Sequence, residues 1–449
     1  MAGAGTSASL NEIIRGSIQQ LPIPKRMRWG ASRVEFVRPV HWVLAMLGEH
    51  CDHGEVLGLS TGNTTRGHRF HSSGDITLTR PEDYEGALLE AKVVADYNTR
   101  QAMIRDQVEV EASALAATAV IDTDLLDEVT ALVEWPVALT GSFEERFLEV
   151  PAEALVSSMK EHQKYFHLVD ANGALKPNFI TISNIESADP VQVIAGNERV
   201  IRPRLSDAAF FFETDKKTSL EARVEKLESI VFQQKLGTLR EKTTRVGLLA
   251  GALAEKIGAP VDLARRAALL AKTDLVTEMV LEFSDMQGIA GAYYAAHDGE
   301  PADVASAIAQ QYWPKFAGDR LPETNTACAL GLADRLDTLV GIFGIGQPPT
   351  GSRDPFALRR ASLGVLRIIV EGEFDLDLSD CLQLAAEQYP DGVLKEGCCE
   401  EVLAYMLERF RAWYEDEQIP VESAVFHCDV GLRRTRSGDT AHYRVEYGF

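Results

Sequence analysis

Phe166-His167-Leu168-Val169, then Asp170-Ala171-Asn172-Gly173, then Asn178 to Ser183 reads as a β-hairpin with an Asn-Gly dipeptide in its turn. Working outward toward the N-terminus, other strand-like runs appear. Val34-Glu35-Phe36-Val37 and Val40 to Leu47 are rich in β-branched and aromatic residues, and Gly48 ends the second run. Ile76-Thr77-Leu78 alternates after Gly74. Thr130 to Leu139 contains Trp135-Pro136, which suits an edge strand because proline donates no hydrogen bond to a ladder. Between these runs, Glu82 to Ala117 reads as helical. The first 212 residues or so are therefore expected to be α+β.

From about residue 216 the pattern turns helical. Thr218 with Glu221 carries a capping-box signature, followed by Leu220, Val224, Leu227 and Val231 at helical spacing. Further helices are expected over Arg245–Ile257, Val261–Phe283, Asp303–Tyr312, Thr324–Leu339 and Pro355–Val370. Breaks fall at Gly258-Ala259-Pro260, at Pro314 to Pro322, and in the Gly/Pro stretch Gly341 to Gly351. Asp375 to Glu422 reads as helical and acidic, split at Pro390-Asp391-Gly392. Ser423 to Phe449 shows neither clear periodicity nor much apolar content.

A chain of 449 residues is long for one core, so two or three domains are expected. Its apolar and charged fractions, 45% and 25%, are those of a globular protein. No apolar run approaches the roughly 18 to 20 residues that span a bilayer. The stretch Met1 to Leu10 does not read as a signal peptide. The six cysteines (Cys51, Cys328, Cys381, Cys398, Cys399, Cys428) form no CxxC or finger spacing, which fits a reduced, cytoplasmic protein. A formal charge of −22 opposes non-specific nucleic-acid binding, so any RNA contact needs a local basic patch or a partner chain.

Self-contained enzyme motifs are missing: there is no GxxxxGK[ST], GxSxG or HExxH. The glycines of Gly341-Ile342-Phe343-Gly344-Ile345-Gly346 are in the wrong order for a nucleotide loop and read as a structural turn. His68 and His71 lack a third ligand, and His297-Asp298 runs into Gly299-Glu300-Pro301, so all are read as polar loop or turn residues.

Three basic clusters are candidates for phosphate contact. Arg199, Arg202 and Arg204 crowd around Pro203, with Lys216 and Lys217 shortly after. Arg353, Arg359 and Arg360 surround Asp354-Pro355-Phe356. Lys25, Arg26 and Arg28 precede Trp29. Asp354 is expected to N-cap a helix with Pro355 in its first turn, so that at least two of the three arginines point toward the helix end whose amides favour anions. The glycines at 341, 344, 346 and 351 would let backbone approach a bulky ligand. The bland alternative is internal pairing with Glu198, Asp207, Glu213 and Asp354.

Several stretches together resemble the β subunit of the two-subunit bacterial glycyl-tRNA synthetases. They include Leu21 to Gly30, Phe36 to Trp42, Thr65 to Phe70, Glu134-Trp135-Pro136, Ser183-Asn184-Ile185 and Asn197 to Phe212. Phe232 to Leu239, Phe283 to Gly288 and Leu332 through Arg360 continue the series in order. The resemblance implies a subunit that binds tRNA(Gly), for which Arg199, Arg202, Arg204, Lys216, Lys217, Arg353, Arg359 and Arg360 are the candidate contacts. It would support ATP-dependent attachment of glycine, with ATP and magnesium held by a separate α subunit and no cofactor on this chain. Two α and two β chains are implied. The alternatives are a metal-dependent phosphohydrolase and a structural fragment without tRNA binding.

The resemblance also divides the chain. Residues 1–212 resemble the editing-like region of phenylalanyl-tRNA synthetase β chains. Residues 213–374 resemble an all-α HD-type metal phosphohydrolase domain, and 375–422 the start of a helical anticodon-binding domain. The tail at 423–449, with Arg433, Arg434 and Arg436, resembles nothing in the family. In the HD-like part the His-Asp doublet is replaced by Lys272-Thr273-Asp274, and only Asp334 matches the late Asp. A charged lysine cannot ligate a metal, so no metal is expected and Asp334→Asn is expected to cost little stability.

Overall fold

The computed structural model describes residues 6–51, 53–351, 353–416, 431–437 and 440–446. The chain divides into two compact units, Met1–Leu205 and Ser206–Phe449.

The core of the first unit is a four-stranded antiparallel sheet. Its strands are β1 (Thr118–Ala119), β2 (Val137–Ser142), β3 (Phe166–Val169) and β4 (Leu175–Ser183), in the order β1-β3-β4-β2. The hairpin read from the sequence is β3–β4. Asp170 closes it, its Oδ1 accepting from the N–H groups of Asn172 (2.8 Å) and Ala174 (2.9 Å), and Gly173 takes the left-handed φ of +82°. Two helices, α1 (Tyr97–Ala114) and α2 (Thr123–Leu132), pack with the sheet. Ile104, Val108 and Ala112 recur at helical spacing and close a core with Leu125, Leu126, Val129, Phe166, Leu168 and Ile180. Gly141 on β2 faces the Phe179 ring, where a Cβ would come within 2.3 Å of a ring carbon.

The helix expected over 82–117 is two helices, Tyr84–Glu90 and α1, because Asp96 caps a new start by accepting from the Thr99 N–H at 2.7 Å. The strand expected from Thr130 begins only at Val137. Asp122 caps α2 (Leu125 N–H, 3.0 Å), which carries helix through Leu132. β2 is nonetheless an edge strand, as Trp135-Pro136 suggested. The run Val40–Leu47 is split into two short strands, Val43–Leu44 and Met46–Leu47.

Three of the stretches that carried the resemblance meet in this unit. The Asn184 side chain accepts from the N–H groups of Glu134 (2.8 Å) and Trp135 (3.0 Å), and its carbonyl lies 2.6 Å from His68 Nε2. His68 lies in a loop, as read, and is buried there, and His71 Nε2 accepts from the Glu186 N–H at 3.0 Å. A long helix, α3 (Pro190–Asp215), follows, and the division between the units falls within it.

The second unit is helical: α4 (Leu239–Lys256), α5 (Val261–Leu270), α6 (Glu278–Glu282), α7 (Ile289–His297), α8 (Ala302–Gln310), α9 (Asn325–Gly344), α10 (Leu358–Glu371), α11 (Leu378–Ala386) and α12 (Cys398–Asp416). α9 is buried along nearly its whole length and is packed by α4, α5, α8, α10, α11 and α12. Gly341 and Gly344 therefore belong to this helix and not to a loop. Cβ atoms there would lie 2.3 Å from the Tyr389 hydroxyl and 2.3 Å from Leu394 Cδ2, so it is side chains of this unit that use the room, not a ligand.

The capping box is present, but at Thr238–Glu241 opening α4; at the earlier position Ser219, not Thr218, caps a single turn. The helix expected over 261–283 breaks after Leu270, where the Thr273 and Thr277 hydroxyls donate back to the carbonyls of Leu270 (2.7 Å) and Asp274 (2.6 Å). In the tail, Gly431–Ser437 pairs antiparallel with Thr440–Glu446, and residues 417–430 lie outside the described set.

Candidate functional site: a cleft above a buried ion-pair network

Lys272 ends the turn after α5, and its side chain is buried. Its ammonium lies 3.2 Å from Asp334 Oδ2 and 3.2 Å from the Tyr312 hydroxyl. Asp334 Oδ1 lies 3.2 Å from the Lys242 ammonium, which also reaches Asp337 Oδ2 at 2.9 Å. Arg245 Nε completes the chain by donating to Asp337 Oδ1 at 2.7 Å. Two acids one turn apart on α9 are thus interleaved with cations from α4 and from the turn after α5. Burial alone would raise the Asp334 carboxyl, but Lys242 and Lys272 override it and hold it well below the usual carboxylate range.

These residues do not fit a divalent metal. Both Asp334 oxygens face ammonium groups, and Asp274 Oδ2 already accepts from the Gly288 N–H at 2.6 Å. Among the described residues no group of three or more His, Cys, Asp or Glu is placed to hold a metal ion. The His297-Asp298 doublet is engaged otherwise, with Asp298 Oδ2 accepting from the Leu220 N–H at 2.7 Å. The same ion pairs argue against only a modest cost for Asp334→Asn, because a buried ammonium depends on this carboxylate.

Asp274 is fully buried, and that burial lifts its carboxyl from 3.8 to about 6, while the Gly288 N–H and Lys272 pull the other way. The folded chain therefore holds this proton more tightly than the unfolded chain does. Its contribution to stability is fully present below about pH 4 and is lost as pH rises through 6. Asp274→Asn should remove that loss. The wild type is expected to fall behind the variant by about 1–2 kcal/mol between pH 5 and 7. Parallel urea-stability curves over that range would contradict the assignment.

Above the network lies an open cleft of about 750 Å³, lined among others by Gln287, Gln311, Tyr312, Lys315, Phe356 and Arg360. Arg335, buried beneath it, fixes one wall: its guanidinium donates to the carbonyls of Gln311 (2.8 Å), Gly331 (2.9 Å), Trp313 (2.9 Å) and Pro314 (3.2 Å). Burial pushes this guanidinium down to about 10, against the pull of Asp334.

Of the Arg353, Arg359 and Arg360 cluster, only Arg360 lines the cleft. The Arg359 guanidinium is turned back onto the Gly351 carbonyl. Arg353 pairs through its backbone with Thr350, with its side chain exposed. α10 begins at Leu358, not at Pro355, after Ala357 in the left-handed region. Asp354 still caps it from a distance, accepting from the N–H groups of Leu358 (2.8 Å) and Arg359 (3.0 Å). That carboxylate occupies the amides that were expected to attract a phosphate.

On α3, Arg199 and Arg204 are exposed, while Arg202 is held by Glu144 at 2.8 Å and not by Glu198. Lys216 pairs with Glu213 at 2.7 Å and lies over the Phe212 ring; Lys217 is exposed. Sequence reasoning missed Gln311, Tyr312 and Lys315, which follow α8 where the sequence offered only a helix end and a proline break. No local pattern marks them.

The sequence matches the glycyl-tRNA synthetase beta subunit family over residues 1–426. It is 60% identical over 421 residues to a glycine–tRNA ligase beta subunit of Chromohalobacter salexigens, covering 94% of this chain and 61% of that one. Proteins of the same name in Hahella chejuensis (58% identical over 436 residues, 97% and 63% covered) and Marinobacter nauticus (58% over 423 residues, 94% and 61%) are similar too. The chain thus spans about three fifths of the length of the curated relatives it matches. With a match across nearly all of both units, the chain belongs to the glycyl-tRNA synthetase beta subunit family.

Proposed function

We propose that this chain serves as the tRNA-handling β subunit of a glycine–tRNA ligase, assisting an α subunit that activates glycine with ATP and magnesium. In this reading two α and two β chains assemble in the cytoplasm. The observation that carries it is the family match over residues 1–426. The lack of any phosphate-cradling motif in the sequence supports the same division of labour. The helical unit is read as an HD-like scaffold in which Lys272 stands where a ligand to metal would be needed, and the helices after Asp375 as the start of an anticodon-binding domain.

The test is co-purification with the matching α subunit, followed by glycine charging of tRNA with and without this chain. Charging is expected to depend on both, and the isolated chain should give no glycine-dependent ATP–pyrophosphate exchange. Exchange by the purified chain alone, or charging by α indifferent to it, would sink the reading. Within that assembly Arg360 is the arginine of its cluster best placed to meet phosphate. Arg360→Gln is expected to flatten the salt slope of tRNA binding by just under one unit. Arg359→Gln should leave the slope alone, since its guanidinium is already spent on the Gly351 carbonyl. Equal slopes for both variants and the wild type would remove Arg360 from the interface.

A further inference from the structure

We propose that Cys398 and Cys399 form a vicinal-dithiol site that holds one thiophilic centre, a trivalent arsenical or a monovalent coinage-metal cation, in a hollow between α11 and α12. The site is separate from the Asp334 network and does not depend on the ligase reading.

Geometry gives the first argument. The two cysteines open α12, and both line an open hollow of about 330 Å³ that Gln383 and Ala386 of α11 also line. Both residues are buried, and the hollow is what gives a ligand access to them. The two thiols stand close enough to share a hydrogen bond. Beyond that, the Cys399 thiol donates weakly to the Leu382 carbonyl at 3.6 Å, and the Cys398 thiol has no further partner among the described residues. Two soft donors thus lie side by side with no strong bond to give up.

The second argument is that these thiols are better bridged than oxidised. Adjacent Cα atoms joined by a trans peptide stand about 3.8 Å apart, short of the roughly 4.4–6.8 Å that disulfides take. An atom placed between the sulfurs widens the span and avoids that mismatch. Burial, followed by the neighbouring Cys398, pushes the Cys399 thiol up to about 12, so little thiolate is present at neutral pH. A centre that displaces the proton itself is favoured over reagents that need a free thiolate.

The third argument is the surroundings. Asp391 and Glu400 line the same hollow, and Lys395, the one cation among the lining residues, is paired with Glu401 at 2.6 Å. That balance turns away phosphate and carboxylate ligands and leaves sulfur as the feature to recognise.

The bond changes balance without an oxidant. With phenylarsine oxide, two S–H bonds and the arsenic–oxygen bond break and two S–As bonds form. The oxygen leaves as water with both protons, and arsenic stays trivalent. A coinage-metal cation binds both sulfurs and releases both protons to solvent.

The experiment adds one equivalent of phenylarsine oxide, or of Ag(I) in chloride-free buffer, to the full reduced chain and reads the product by native mass spectrometry. One centre per chain is expected. The arsenical should be carried on the tryptic peptide from Glu396 to Arg409, which holds both cysteines and no other. Cys398→Ser and Cys399→Ser should each weaken retention by about a hundredfold or more, because a chelate becomes a single bond. Cys51→Ser should leave retention unchanged. Retention of either probe on this pair supports the proposal, and the probe retained names the class. No adduct with either probe, an adduct on another cysteine, or retention unchanged in both single variants overturns it. Mapping on the unsubstituted chain decides the matter even where a variant fails to fold.

Discussion

Asp334→Asn is expected to destabilise the helical unit by about 3–5 kcal/mol, the usual cost of leaving a buried charge without its partner. Lys272 has Asp334 as its only salt-bridging carboxylate among the described residues, and what remains to it is Tyr312, with its hydroxyl at 3.2 Å and its ring centroid at 4.3 Å, and the more distant Asp274. Lys242 is better protected, because it keeps Asp337 at 2.9 Å and the Thr338 hydroxyl at 2.8 Å. For a unit of this size the melting temperature should fall by roughly 10 °C. Asp334→Asn combined with Lys272→Met should recover most of the loss, since it removes the stranded ammonium along with its partner. The pH dependence has a definite sign. The Asp334 carboxyl is depressed in the folded chain, so its stabilisation is present above about pH 4 and fades as pH falls further. The gap between wild type and Asp334→Asn should accordingly narrow in acid. Urea unfolding decides the matter: a single-variant loss below about 1 kcal/mol, or a double variant no better than the single, removes the ion pair from the account.

The elements legible in the sequence are those fixed by local chemistry. The β3–β4 hairpin was readable because Asp170, Asn172 and Gly173 close it within a few residues of one another. α9 was readable over most of its length from an apolar run after Thr324, which does cap it by accepting from the Ala327 N–H at 3.2 Å. Its C-terminal end was not. Gly341 and Gly344 look like loop residues until Tyr389 and Leu394, some fifty residues later, fill the space beside them. The cap read at Thr218 falls one residue later, because it is the Ser219 hydroxyl that accepts from the Ala222 N–H at 3.3 Å. The network beneath the cleft lies furthest from sequence reasoning. Lys272 was visible as a departure from a metal-binding pattern and Asp334 as a match to it, but their pairing spans 62 residues and was not. Gln311 carries no signal at all, since an unsatisfied oxygen such as its Oε1 is a property of what surrounds it. Spacing likewise favoured at least two of the three arginines acting together, whereas Asp354 and the Gly351 carbonyl divide them.

Asp215→Ala should be at least as damaging as Asp334→Asn, and for a different reason. Asp215 is 2% exposed at the end of α3 and serves four donors from three places in the chain. Its Oδ1 accepts from the Glu278 N–H at 3.1 Å and its Oδ2 from the Met279 N–H at 3.0 Å, which satisfies the opening amides of α6. The Tyr294 hydroxyl donates to Oδ2 at 3.1 Å, and the buried Arg223 guanidinium lies 3.3 Å from Oδ1. Removing the carboxylate strands two backbone amides and a phenol and strips a buried guanidinium of its counter-charge. Arg223 keeps the carbonyls of Asp215 (2.8 Å) and Thr218 (3.3 Å), so its penalty is partial. Burial of the remaining groups sets the scale at about 4–5 kcal/mol. Asp215→Asn retains an acceptor for the amides but not the charge, and should fall between wild type and Asp215→Ala. Hydrogen exchange separates this from a general loss of packing. The Glu278 and Met279 amides should lose protection first, before those of α9, whose core Asp215 does not touch. Uniform loss of protection across the helical unit, or a destabilisation under 2 kcal/mol, would show that Asp215 is not the hub these four contacts make it.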